Sequence, residues 1–152
     1  MLIKEFFKET PEKREYFINE MSKCDWDAGR YLAYMLKDNS FKKNCGENSE
    51  VLLLTDGENL ASFCTYVDMD EIDDDSMKPW AGFVYTFPEY RGKRCAGKLL
   101  EYAKNLAKND GYLKLYVSSE EKGLYEKYGF TYLKDAESIH GYETQIFVCN
   151  LK

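Results

Sequence analysis

Apolar residues recur along this chain first at helical spacing and later in strand-like runs. After Pro11, residues Tyr16, Phe17 and Met21 follow a helical period, as do Tyr31, Leu32, Met35 and Leu36 after Asp27. Side chains three and four apart share a helix face, so two short helices are predicted, preceded by a first strand in "LIKEFF". The polar stretch "KDNSFKKNCGENSE" leads to "VLLLTDGENLASFCTYV", two β-prone runs around Asp56-Gly57 that read as a hairpin. Residues 68 to 75, "DMDEIDDD", carry too much like charge for a packed element and are predicted to form a loop. "WAGFVYTF" is β-prone and ends at Pro88. From "PEYRGKRCAG" a helix opens with Ala96, Leu99, Leu100, Ala103, Leu106 and Ala107 at 3.6-residue spacing, and Gly111 is placed to end it. "YLKLYVS" alternates Leu113, Leu115 and Val117 against Tyr112, Lys114 and Tyr116 and predicts a strand; "EKGLYEKYGF" predicts a short helix stopped at Gly129, and "YETQIFVCNL" a last strand. A strand-helix-strand unit beside a hairpin predicts a mixed α/β sheet.

Composition narrows the function. A chain of 152 residues suits one domain spanning 1–152, with no repeat or linker. The formal charge of -6 argues against nucleic acid, whose binding relies on a basic surface that neutralises phosphates. Five scattered cysteines and a lone histidine, His140, offer no metal-ligand spacing, so no metal site is expected. Neither a signal-peptide core nor a long apolar run occurs, so no membrane association and a cytoplasmic location with reduced thiols are expected.

Against this acidic background, "YRGKRCAGKLL" concentrates Arg91, Lys93, Arg94 and Lys98 at a helix start, with Gly92, Ala96 and Gly97 among them. A helix N-terminus leaves about four backbone N–H groups unpaired and carries roughly half a positive charge, which suits a phosphate. Small residues let the ligand approach, and arginine reaches phosphate oxygens directly. A pyrophosphate is the predicted ligand, against the plainer reading of a solvated basic helix start.

The stretch "PEYRGKRCAGKLL" resembles the pyrophosphate-binding signature of the GCN5-related N-acetyltransferases (GNAT), in which an Arg or Gln, two residues, a Gly, one residue and a Gly or Ala wrap acetyl-coenzyme A. Here Arg91 and Ala96 match the ends, while Arg94 stands at the usual glycine. Because that position borders a helix, Arg94 is expected to keep a helical backbone without positive φ and still offer its N–H, the alternative being a side chain that crowds the loop and weakens binding. Downstream, "GLYEKYGF" resembles the family's Leu-Tyr-Glu-Lys-x-Gly-Phe helix end. The two motifs place an acetyl-CoA-binding core at residues 80–133, with residues 1–50 as variable acceptor-side helices. The implied architecture is the GNAT-like acyl-CoA N-acyltransferase fold, a mostly antiparallel central sheet flanked by helices.

The resemblance further implies that backbone groups near Val84, Tyr85 and Thr86 pair with the cofactor's pantetheine arm, that Arg91, Gly92, Lys93, Arg94, Cys95, Ala96, Gly97 and Lys98 hold its phosphates, and that Ser118, where many relatives have asparagine, lies near it. Tyr125 matches the tyrosine that protonates the departing thiolate. The base is not visible in the sequence, with Asp68, Glu143 and His140 as candidates. The acidic loop reads first as a solvated loop, with attraction of a cationic acceptor through Asp73, Asp74 and Asp75 as the alternative. The implied activity is direct acetyl transfer to an amine of a small molecule or peptide. A non-catalytic acyl-CoA-binding sensor is the alternative, and a structural domain that binds nothing is the third reading. Dimers are common in the family, but no residue here specifies an interface.

Overall fold

In a computed structural model describing residues 1–152, β2 (Glu50–Asp56) and β3 (Asn59–Val67) form the predicted hairpin, with Gly57 at φ +62 in its turn. The hairpin reads as nearly continuous apolar sequence because both of its faces are covered. Val51 and Leu53 join the core beneath the N-terminal helices, and Leu52 and Leu54 join the core beneath the long helix. Seven strands follow the order β1-β2-β3-β4-β5-β7-β6, with β1 at Leu2–Glu5, β4 at Trp80–Thr86, β5 at Lys114–Ser119, β6 at Thr131–Glu137 and β7 at Glu143–Asn150. Neighbours are antiparallel except β4 and β5.

One face carries α1 (Pro11–Ser22), α2 (Asp27–Lys37) and the short α3 (Phe41–Cys45). Thr10 caps α1 by accepting from the Lys13 N–H at 3.3 Å, and Pro11 occupies the first helical position, where its missing donor loses nothing. Phe17 and Met21 of α1 and Leu32, Met35 and Leu36 of α2 are buried, whereas Tyr16 and Tyr31 are exposed. The other face carries α4 (Cys95–Asn109), which buries Leu99, Leu100, Ala103 and Ala107. Full burial of each leucine contributes about 1.5–3 kcal/mol.

Three elements depart from the sequence-based expectation. The polar stretch contains α3, too short to show an apolar period. Strand β6 lies at the sheet edge with mostly exposed residues and has no alternating pattern to betray it. The "LYEKYGF" segment is a 3-10 turn, Tyr125–Tyr128, ended by Gly129 at φ +89.

The sheet opens at its centre. Strands β4 and β5 pair only through Trp80 with Tyr116 and Ala81 with Val117, and then separate. Strand β4 also bulges: Phe63 opposes Tyr85, Thr65 opposes Gly82, and Phe83 takes φ +47. A bulky residue at positive φ costs about 1–2 kcal/mol, a strain that the pairing with β3 on either side of Phe83 must hold in place. Beyond Ala81, the β5-facing backbone groups of β4 therefore have no strand partner.

Candidate active site

At one end of this opening, a 3-10 turn at Pro88–Tyr90 and the loop 91–94 carry β4 into α4. No backbone N–H from Gly92 through Gly97 has an acceptor within the chain; the Lys98 N–H is the first to donate, to the Arg94 carbonyl at 3.1 Å. Arg91 Nε donates to the Thr86 carbonyl at 3.0 Å, which ties the loop to β4. A concavity of about 650 Å³ here is lined by Arg91, Arg94 and Ala96, and from the opposite wall by Lys127 and Tyr128. Unpaired N–H donors, three cations and no carboxylate in the lining fit a pyrophosphate.

Two expectations about this loop are corrected. Arg94 has φ +61 and ψ +30, the left-handed conformation, not a helical one. Its side chain is exposed along the concavity and leaves the loop uncrowded, so it adds charge at the expense of backbone strain. Gly97 does not clear a ligand's approach: a Cβ there would lie 2.9 Å from Tyr128 Cε1, so its bareness seats the 3-10 turn against α4. Gly92, at φ +82 with open space around it, serves the backbone conformation.

At the other end lies a cavity of about 690 Å³, walled by Trp26 and Tyr31 from the N-terminal helices, by Phe83 and Val84 of β4, and by Tyr125. Its lining includes Asp70, Glu71, Glu120 and Glu121 and neither lysine nor arginine. Glu71 accepts from Ser118 Oγ at 2.5 Å and from the Tyr142 hydroxyl, and Ser118 Oγ lies 3.0 Å from Thr144 Oγ1. The Glu71 carbonyl also accepts the Ile139 N–H at 2.8 Å, so the acidic loop is clipped to β5 and to the β6–β7 connection. Burial pushes Asp70 up to about 7, and the neighbouring Glu71 charge adds to the effect. Burial likewise raises Tyr125 far above the ordinary phenol value, with Cys64, Glu121 and Asp70 adding to it, so this hydroxyl stays protonated through the neutral range.

Two elements run from one cavity to the other. Strand β4 presents Val84 to the first and Thr86 to the second, and the 3-10 turn presents Tyr125 to the first and Lys127 and Tyr128 to the second. The side chain of Tyr85 is engaged elsewhere: its hydroxyl donates to Asp25 at 2.7 Å and its ring stacks on Trp26 at 5.9 Å. The Cys95 thiol is buried, and burial raises its pKa. Lys93 lies over the Tyr90 ring at 5.5 Å, and exposed Lys98 is in the first turn of α4.

Ser118 lines the cavity that holds Tyr125, and its hydroxyl donates to Glu71 and orients that carboxylate. Several other predicted residues lie apart. Asp68 packs on Gly46 and lines a different recess. Glu143 is opposite Glu137 on the outer hairpin. Among the predicted bases only His140 lines the cavity, stacked 6.2 Å from the Tyr142 ring. Asp73, Asp74 and Asp75 are outside the lining, and Asp74 accepts from Ser76 instead. The sequence reading missed Asp70, Glu71 and Lys127 as individual site residues. A hint of the first two was Ile72, an apolar residue in an otherwise charged run that is buried and holds the loop against the sheet.

A mixed sheet thus splays between a basic helix start with unpaired N–H groups and a carboxylate-lined cavity. The model of the acetyltransferase (GNAT) domain matches residues 47–132, more than half of the chain, and the chain belongs to this family of acetyltransferases. Among solved structures it is similar to an aminoglycoside 6'-acetyltransferase type Ii, with TM-score 0.74 and 13% identity over 99% of this chain and 97% of that one. An aminoglycoside 6'-N-acetyltransferase from Enterococcus faecium gives 0.71 and 11% over the same shares. A Salmonella typhimurium protein solved with acetyl-CoA gives 0.62 and 15% over 100% and 94%. At these identities the likeness shows the fold, which is the GNAT acyltransferase fold expected from the motifs. No curated protein matches the chain by sequence.

Proposed function

We propose that this protein transfers the acetyl group of acetyl-CoA to a primary amine of a cationic small molecule or peptide. The observation that carries the reading is that β4 and the Tyr125–Tyr128 turn line both cavities: unpaired N–H groups and cations at one end, the open edge of β4 between, and carboxylates with Tyr125 at the other. Acetyl-CoA, when bound, supplies an activated acetyl thioester. Arg91, Arg94, Lys127 and the N–H groups of residues 92–97 would hold its phosphates, while the unpaired edge of β4 near Val84 and Thr86 would align its amides. Holding donor and acceptor together removes the entropy of their encounter, worth about 7–11 kcal/mol at best.

Tyr125 would act at the leaving sulfur. An ordinary thiol near 8.5 is already a stronger acid than an ordinary phenol near 10, and burial widens that gap, so Tyr125 donates a hydrogen bond throughout and completes proton transfer only late. The carboxylates favour an acceptor that is positively charged and lacks a carboxylate of its own near the amine, because the lining holds no cation to receive one. The aminoglycoside enzymes of similar fold act on acceptors of this charge type.

Calorimetric titration with acetyl-CoA tests the reading, with Arg91→Ala/Lys93→Ala as control, followed by coenzyme A release from spermidine, neamine and lysine amide. Micromolar binding lost in the variant, together with turnover of at least one amine, is expected. Binding without any turnover would favour the sensor, and no binding would remove both. In the active protein, Tyr125→Phe is expected to lower kcat by about 100-fold while acetyl-CoA affinity persists; an unchanged kcat would exclude the tyrosine from the chemistry.

A further inference from the structure

Besides His140, the cavity that holds Tyr125 presents a carboxyl group other than Asp68 and Glu143, which lie outside it. We propose that Asp70 is the general base that takes the proton from the acceptor's ammonium, a role that rests on the acetyltransfer reading above. Asp70 belongs to the loop between β3 and β4 and lines the same cavity as Val84 and Tyr125. Its carboxyl lies against the bare face of Gly82, whose absent side chain creates the space: a Cβ there would collide with Asp70 Oδ1 and lie 3.1 Å from its Cγ. Gly82 is on β4, one residue after the last pairing with β5 and two before Val84, so the carboxyl sits where the strands part.

No side-chain donor and no cation engages Asp70; the Glu71 backbone N–H is its only hydrogen-bonding neighbour that lowers its pKa. The titratable groups near it are Glu71 of the same loop, Cys45 of α3 and Tyr125 of the 3-10 turn. Burial raises the Cys45 thiol to about 12, so neither it nor Tyr125 is charged at neutral pH, and Glu71 is the one anion facing Asp70. A carboxyl poised near 7 accepts a proton from an ammonium far better than an ordinary one near 4, and still keeps a substantial ionised fraction at neutral pH. Glu71 is unsuited to the task because Ser118 and Tyr142 already donate to its two oxygens, which leaves it to orient the incoming cation.

The proton and electron balance is complete with these groups. Asp70 takes one proton from the ammonium, directly or through one water, and frees the nitrogen lone pair. That pair forms the bond to the acyl carbon as the carbon–sulfur bond breaks, its electrons leaving on sulfur. Tyr125 supplies the proton that ends on the thiol and is restored by the second proton lost from nitrogen, and Asp70 releases its own to solvent. One proton is set free per acetylation, as the neutral amide and thiol products require.

The test is the pH profile of kcat/KM for whichever amine of the panel the wild-type protein turns over. Wild type is expected to lose activity below a limb near pH 7. In Asp70→Asn that limb should disappear, with activity at pH 7 reduced about 100-fold and recovering as pH approaches the acceptor's own pKa, about 10, where free amine needs no base. Acetyl-CoA affinity should be unchanged, which separates loss of the base from loss of the fold. A variant that retains the limb near pH 7, or a deficit constant across pH, would overturn the assignment. Should Asp70→Asn fail to bind acetyl-CoA, Gly82→Ala decides instead: displacing the carboxyl without removing it should abolish the same limb, and a retained limb would refute the base. Wild-type protein that binds acetyl-CoA but acetylates no amine removes the transferase reading and the base with it.

Discussion

Arg94 and Asp70 each hold a residue type where local physics disfavours it. The left-handed backbone of Arg94 is the conformation glycine adopts without penalty, so this chain trades about 1 kcal/mol of strain for a cation along the concavity at the start of α4. Arg94→Gly and Arg94→Ala remove the same charge, but only glycine relieves the left-handed strain, at the cost of a more flexible unfolded chain. The glycine variant is expected to be more stable than the alanine variant by up to about 1 kcal/mol in urea unfolding, while both weaken acetyl-CoA binding by a similar factor. A glycine variant less stable than the alanine variant would mean that the strain is absent. Asp70 makes a second claim on stability. Its pKa rises from near 4 in the unfolded chain to about 7 in the folded one, so the fold binds its proton more tightly. Its contribution is fully favourable below pH 4 and is lost as pH climbs from 4 through 7, by at most about 4 kcal/mol. Asp70→Asn should therefore raise Tm relative to wild type at pH 8 and show a much smaller advantage at pH 5, the opposite of a carboxylate held by an ion pair.

Helix α4 (Cys95–Asn109) and the 3-10 turn at Tyr125–Tyr128 pack as one unit although the chain leaves the one at Asn109 and enters the other only at Tyr125. Gly97 admits the Tyr128 ring, and Lys104 Nζ donates to the Tyr128 carbonyl, so the phosphate loop and the turn carrying Tyr125 and Lys127 are registered to each other. Gly97→Ala should push the turn outward, costing about 1–3 kcal/mol of stability and weakening acetyl-CoA binding measured by calorimetry; unchanged affinity would show the two motifs to be independent. This coupling also marks the boundary of what could be read without coordinates. The hairpin β2–β3, helix α4 and the basic loop were legible because their signals are local: apolar period, a turn at Asp56-Gly57, cations at a helix start. Edge strand β6 was not, because its residues are mostly exposed and carry no alternation. Nor was Asp70, whose environment is made by Gly82 on the neighbouring strand and by burial, neither of which a charged run announces. The sign of φ at Arg94 was misjudged for the related reason that a residue preceding a helix need not share its conformation.

At the scale of the molecule the charges are separated by sign around one opening. The chain carries a net -6, yet the concavity at the start of α4 is lined by Arg91, Arg94 and Lys127 without a carboxylate, and the Tyr125 cavity by Asp70, Glu71, Glu120 and Glu121 without a cation. On the proposed function, a cationic acceptor would therefore be drawn both by the whole molecule and by the cavity, whereas an anionic cofactor would be repelled at long range and attracted only near α4. Salt acts differently on the two. The Debye length shortens from about 30 Å at 0.01 M to about 10 Å at 0.1 M, which removes long-range forces and spares contacts. Raising ionic strength over that range should increase the acceptor's KM several-fold with kcat nearly constant, while the cofactor's KM changes less because its long-range repulsion is relieved together with its attraction. Glu120→Gln/Glu121→Gln should reproduce the rise in acceptor KM at low salt and flatten its salt dependence, since both residues line the cavity at exposed positions and neither has been given a proton to move. Steady-state kinetics with the panel amine decides it: an acceptor KM that ignores both salt and the double substitution would mean that the cavity recognises shape rather than charge.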